Sequence, residues 1–304
     1  MIDGADGLLR YQHRAMATRF EIMMVNEDPS FAEGAARAAC EEIDRLEQEL
    51  SRYAPNSDIA RINNLSPFGK AIVGVDAFQC LQLSMKHCEE TGGAFDIALG
   101  ALMECWIAKD GSLLHPAPGE IDRARERSAM NSLELDASTM TVRVRERVPF
   151  VDLGAIGKGY AVDCVVDLLR DWGVSSALVH GGSSSVYAFG VFRSHEGWPV
   201  TISMPGRHAE VIETIVLADN GLGGSGTARR RHIIDPRTAR PVEGRRAAWV
   251  VSETAARSDA LSTACMVMTV EEIRTCIARD PRLRAVVVEG NGDSVLRFGG
   301  PVSV

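Results

Sequence analysis

Asp259 and Thr263 stand four residues apart in the segment Ser258-Asp259-Ala260-Leu261-Ser262-Thr263-Ala264. On a helix that spacing puts both side chains on one face. A carboxylate and a hydroxyl are hard oxygen donors suited to Mg²⁺, which takes few protein ligands and completes its shell with phosphate and water. The same pair also makes an ordinary polar helix face or a cap, and on an exposed face Asp259→Ala costs the fold little. The run Gly154-Ala155-Ile156-Gly157-Lys158-Gly159 offers a second chemistry. Its glycines let backbone approach a ligand, a helix start follows, and Lys158 adds a cation, together suiting an anionic phosphate. Asp152 and Gly159 stand where a Walker A loop needs glycine and Ser or Thr, so the run is not that motif. A plain strand-to-helix turn with a surface lysine explains it equally well.

His232 follows Arg229-Arg230-Arg231 and precedes Ile233-Ile234-Asp235-Pro236. With Asp235, Arg237 and Thr238 it could form a hydrogen-bonded turn or one edge of a ligand site. Gly221-Leu222-Gly223-Gly224-Ser225-Gly226 satisfies G-x-G-x-x-G, but a basic, β-like stretch follows instead of a helix. That context argues against a dinucleotide fold and predicts a flexible loop near a ligand. The seven cysteines show no CxxC spacing and the histidines no HxH or HExxH, which disfavours disulfides and zinc. No G-x-S-x-G has the strand-elbow-helix setting of a serine hydrolase.

The elements that must position these groups read as a mixture. A strand is predicted over 17–25. Asp28-Pro29 opens a helix to about Leu50, broken by Ser51-Arg52-Tyr53-Ala54-Pro55-Asn56-Ser57. Ser57 caps a short helix through Ile62, and 76–91 form another, stopped by Gly92-Gly93. Helical residues 98–107 lead into a polar loop over 109–118, and 132–152 form a hairpin. A helix spans 157–173, followed by β runs at 176–180, 185–191, 198–203 and 210–217. A strand at 247–251, helices at 257–268 and 270–278, and a hairpin of 284–289 with 294–298, turned at Asn291-Gly292, close the chain. Many strands joined by short turns predict an α+β fold with antiparallel sheet. One domain over 1–304 accommodates them, and 109–118 is where a boundary between two lobes could fall.

Composition narrows the function. The 304 residues are 45% hydrophobic and 24% charged, as in globular proteins, and carry a net charge of -8. An acidic chain is a poor binder of nucleic acid or anionic membrane. The acidic N-terminus and the lack of a long apolar run predict no signal peptide, no membrane anchor and a cytoplasmic location.

The order of the signals is more specific than any one of them. Met16-Ala17-Thr18, Ser51-x-Tyr53-x-x-x-Ser57, Gly93-Ala94-Phe95-Asp96, the run from Val151 to Asp163, Gly181-Gly182, Ser225-Gly226, the run from His232 to Thr238, and Ser258 to Ala264 succeed one another along the chain. This series resembles the ApbE family of FAD:protein FMN transferases, from about residue 14 to about 298. The resemblance implies a T-fold-like, two-lobed α+β architecture with largely antiparallel sheets and packed helices. It implies a Mg²⁺-dependent transferase that binds FAD between its lobes and moves the FMN half onto a threonine or serine hydroxyl of an acceptor flavoprotein, releasing AMP. By position, Asp259 and Thr263 look like the metal-binding side chains, with the Gly157 carbonyl as a third ligand. Met16, Tyr53, Ala94, Phe95, Asp96 and Gly154 look like cofactor contacts, and Lys158, His232 and Ile233 like groups near the pyrophosphate. Asp259 is then occupied by the metal, which leaves His232 as the acid/base or phosphate-orienting group beside it.

The chain departs from the family pattern. Met-Gly-Thr is Met16-Ala17-Thr18, Ala239 replaces a glycine after Thr238, and Ser183 stands where an acid is common. The block after Phe95-Asp96 loses both prolines, a threonine and a final glycine. Retained metal side chains with a drifted cleft wall keep two alternatives open: an FAD pyrophosphatase yielding FMN and AMP, and a non-catalytic FAD-binding protein.

Overall fold

A computed structural model describes residues 2–3, 7–128, 130–227, 233–290 and 294–300. The first half contains β1 (Ile2–Asp3), β2 (Leu8–Ala15), β3 (Thr18–Val25), α1 (Pro29–Leu50), α2 (Asp58–Asn63), β4 (Lys70–Ile72) and α3 (Val75–Glu90). Then come α4 (Gly100–Trp106), α5 (Pro118–Glu126), β5 (Leu133–Asp136), β6 (Thr141–Val144) and α6 (Gly157–Asp171). The strands β7 (Ala177–Gly181), β8 (Ser185–Phe189), β9 (Trp198–Met204), β10 (Arg207–Leu217) and β11 (Asn220–Gly226) follow. The chain closes with β12 (Ile234–Asp235), β13 (Arg240–Pro241), β14 (Arg245–Ser252), α7 (Ala255–Val267), α8 (Val270–Ala278), β15 (Arg284–Glu289) and β16 (Ser294–Phe298).

Among the described residues nine strands form one sheet in the order β1-β2-β3-β7-β8-β11-β14-β15-β16, every neighbouring pair antiparallel. Successive side chains on a strand point to opposite faces. Ile22, Val179, Val250 and Val287 therefore face a helical layer with Ile43, Leu81, Val162 and Leu261. Leu178, Val186, Leu222 and Val286 face the other way, onto Trp198, Ile202, Ile215 and Leu217 of the β9–β10 ribbon. With both faces covered, β8 and most of β15 are buried side after side. The fold is α+β, as expected. A smaller sheet, β4-β6-β5, lies apart, and α4, α5 and the β12–β13 turn share a third apolar cluster.

Local chemistry explains several boundaries. Asp28 accepts from the amides of Ser30 and Phe31 and Ser57 from that of Ala60, so α1 and α2 begin where the caps place them. Gly92 and Gly93 take φ of 58° and 78° beyond α3. Leu135 pairs with Val142 in the expected hairpin, and the 284–289/294–298 pairing is as expected, although its Asn291-Gly292 turn lies outside the described residues. Besides the short strands β1, β4, β12 and β13, sequence pattern did not reveal β2, whose polar residues alternate weakly, or α5, which offers the core only Ala124.

The largest correction concerns 221–226, which forms β11 in the middle of the sheet and not a flexible loop. Its alternate residues Gly221, Gly223 and Ser225 face α7. A Cβ on Gly223 would stand 2.1 Å from the Ser258 carbonyl oxygen, so only glycine lets the helix lie directly on the strand. The G-x-G-x-x-G match is thus a packing feature.

Candidate active site

Helix α7 is buried nearly all round, by small residues such as Ala256, Ser258, Ala260 and Ala264. The exposed polar face expected for Asp259 therefore does not exist: the residue is 2% accessible. α6 crosses it at equally close range, since a Cβ on Gly159 would stand 2.4 Å from the Ala255 carbonyl oxygen. At this crossing the opening turn of α6 meets the Asp259 carboxylate. The Gly159 amide donates to Oδ2 at 3.3 Å, and Lys158 Nζ lies 3.5 Å from the same atom. Lys158 also donates to the Gly154 carbonyl at 2.9 Å, so the glycine run folds back onto the lysine's head group. Burial raises the Asp259 carboxyl above its ordinary range, while Lys158, the Ser185 hydroxyl and the Gly159 amide act against it.

Hydroxyl groups continue the cluster. Ser225 on β11 is 2.9 Å from both Ser262 Oγ and Thr263 Oγ1. Ser262 and Thr263 donate to the Asp259 carbonyl at 2.9 and 3.3 Å. Among the described residues no group of three or more His, Cys, Asp or Glu side chains is placed to hold a metal ion. A cation here would rest on one carboxylate, the hydroxyls and backbone carbonyls such as that of Gly157 in the first turn of α6. All are hard oxygen donors, and a carboxylate made costly by burial gains from a divalent partner, so the residues fit Mg²⁺.

The other expected positions are held by local contacts of their own. The loop before α6 is pinned by Asn63, which bonds both the amide and the carbonyl of Val151, and by the Asp152 amide donating to Ile97 at 2.8 Å. Arg52 pairs with Asp152 at 2.9 Å and lies under the Tyr53 ring at 4.6 Å, leaving Tyr53 78% exposed. Ala94 and Phe95 have their side chains in the core, and Asp96 accepts from the amides of Ala98 and Met130. Any ligand contact from Ala94 or Phe95 would come from backbone. Met16 and Ala17 form the β2–β3 turn at φ of 50° and 55°, held by Glu47 accepting from the Met16 amide at 2.7 Å. Ile233 is buried, and its carbonyl accepts from Val242. His232 lies outside the described residues.

Reading the sequence missed Asp163. Its two carboxylate oxygens accept from the Ala255 and Ala256 amides at 2.7 and 2.8 Å, capping α7 from α6. Burial pushes this carboxyl up to about 7, with the two amides acting against it. The available signal was an acid on the apolar side of α6, beside Tyr160, Val162 and Val166. Ser185 and Ser262 carried no signal. A cleft of about 940 Å³ lies at the opposite end of α7, between Trp106, Pro241 and Met268. It does not include the Asp259 cluster, whose chemistry and not its size marks it.

The model of the ApbE family matches residues 16–287. The chain belongs to the ApbE family. It is 25% identical over 295 residues to an FAD:protein FMN transferase of Salmonella typhimurium, covering 92% of this chain and 84% of the relative. A protein of that name from Treponema pallidum is 28% identical over 279 residues, covering 83% and 77%. The flavinyl transferase ApbE of Pseudomonas stutzeri shares the fold with a TM-score of 0.84 at 23% identity, covering 98% and 96% of the two chains. The ApbE protein of Thermotoga maritima does so with a TM-score of 0.82 at 25% identity, covering 96% and 97%. This member of the ApbE family is an enzyme, a transferase by class.

Proposed function

We propose that this protein is a Mg²⁺-dependent FAD:protein FMN transferase. The hydroxyl oxygen of a threonine or serine on an acceptor flavoprotein attacks the FMN phosphorus of FAD. The bridging P–O bond breaks, AMP leaves with the bridging oxygen, and the hydroxyl proton passes to a base. The observation that carries this reading is the enclosed Asp259 carboxylate meeting the Lys158 ammonium at the opening of α6.

Asp259, Thr263 and the Gly157 carbonyl would hold the cation, which when bound draws charge from the transferred phosphoryl group. Lys158, tied to Gly154, supplies a positioned positive charge of the kind that offsets charge developing on a departing phosphate. His232 is assigned the proton of the incoming hydroxyl, on the strength of the resemblance. Met16, Tyr53, Ala94, Phe95, Asp96, Gly154 and Ile233 are assigned to the cofactor.

Mass spectrometry of protein, FAD, Mg²⁺ and a candidate acceptor tests the reading. The expected products are AMP and an acceptor heavier by one FMN, both lost in Asp259→Asn. Transfer falls by about 10²–10⁴-fold in His232→Ala, with FAD binding retained. FMN and AMP formed equally well without acceptor would replace transfer by hydrolysis, and FAD left intact with every acceptor would end the enzymatic reading.

A further inference from the structure

Asp163 and Asp259 cross-link the same two helices in opposite directions. Asp163 on α6 accepts from the amides of Ala255 and Ala256 on α7. Asp259 on α7 accepts from the amide of Gly159 on α6. Gly159 to Asp163 and Ala255 to Asp259 are each four residues, about one helical turn, so the two links close a quadrilateral. Its sides are rigid helix. α6 has no side-chain cap of its own at Ile156, so the Asp259 carboxylate serves as one. The third amide of α7, that of Arg257, is satisfied separately by Thr254 Oγ1 at 3.1 Å.

We propose that Asp163 is a positioning residue for the cation site: by gripping the first turn of α7 it sets where the Asp259 carboxylate stands against α6. The proposal rests on the reading of Asp259 as the cation-holding side chain. Removing the grip leaves α7 capped by Thr254 but free to shift along α6 at the turn that carries Asp259. The shift is felt by the cation before it is felt by the fold. Removing the Thr254 hydroxyl does the reverse, costing helix stability while leaving the two-amide link in place.

The test titrates MgCl₂ alone into the full-length protein and its variants, reading affinity from calorimetry and from the Mg²⁺-dependent rise in Tm. In Asp163→Asn the Mg²⁺ Kd rises about 10-fold, the low end of the loss seen when outer groups that orient a metal ligand are removed, as befits a link that acts through the helix. In Thr254→Ala, matched for loss of Tm without Mg²⁺, it changes less than about 2-fold, as for a site not coupled to the ion. In the transfer reaction the KM for Mg²⁺ rises in Asp163→Asn while kcat at saturating Mg²⁺ is kept. Asp163→Glu, which keeps the charge but lengthens the link, weakens Mg²⁺ in the same way and decides the matter if the asparagine variant does not fold. Equal weakening in Asp163→Asn and Thr254→Ala, or none in the Asp163 variants, overturns the proposal alone. A wild-type protein indifferent to Mg²⁺ overturns both it and the cation reading of Asp259.

Discussion

Asp259 illustrates how a functional residue can oppose stability. Its carboxylate is enclosed by α6, α7 and β8, and burial makes the charged form costly. Asparagine keeps an oxygen for the Gly159 amide without that charge. In Mg²⁺-free buffer Asp259→Asn is therefore expected to match or exceed the wild-type Tm, by up to about 3 °C, and to lose all response to Mg²⁺. A clear fall in Tm by calorimetry would show the charge to be structural. Two departures from the family pattern take on meaning at the same scale. Ala17 and Ala239 replace family glycines, and both hold left-handed backbone, at φ of 55° and 58°. An L side chain is penalised there. Ala17, which is exposed and fills no space, is the cleaner test: Ala17→Gly should stabilise by about 0.5–1 kcal/mol in denaturant unfolding, after the entropy cost of glycine.

At the scale of elements, the site is made by helices and a strand that approach more closely than side chains permit. β11 presents glycine to α7, and α6 presents Gly159 to the Ala255 carbonyl. Backbone contact of this kind cannot give way, because the obstructing atoms are main chain. Gly159→Ala should cost about 2 kcal/mol, roughly 5 °C in Tm, by forcing α6 and α7 apart. It should also weaken Mg²⁺, since the Gly159 amide is the one that meets Asp259. A variant with wild-type Tm and Mg²⁺ affinity would refute the close crossing.

Across the whole molecule, one charged cluster ties segments distant in sequence. Arg257 at the start of α7 pairs with Glu90 at the end of α3, with Glu253 at 2.7 Å, and with Asp280 after α8 at 2.8 Å. Burial opposes ionisation of Glu90, but His87 and Arg257 hold its carboxyl down to about 2, below its ordinary 4.5. For an acid lowered in the folded state, the stabilisation is complete above the unfolded value and vanishes as pH falls through the folded one. Glu90 thus protects the fold at neutral pH, and its contribution is lost as pH falls from about 4.5 to 2. Glu90→Gln should cost about 1 kcal/mol at pH 7, allowing for solvent screening of a partly exposed pair, and flatten the acid limb of a Tm–pH curve. An unchanged acid limb would mean the cluster is not what titrates. No helix among the described residues is long and apolar enough to cross a membrane.

What the sequence determined by itself was what a few neighbouring residues decide. The caps at Asp28 and Ser57 act within three residues, and the helices begin there. The Asp259–Thr263 spacing placed both on α7, and the ordered motifs indicated the family. Only the tertiary structure decided that α7 is buried, that its glycine-rich neighbour is a strand, and that Asp163 reaches its first amides. Each of these depends on groups about 30 to 100 residues apart meeting at backbone distance. No local pattern records such a meeting, because glycine reads alike as a flexible turn and as the floor beneath a helix until the partner's carbonyl stands over it.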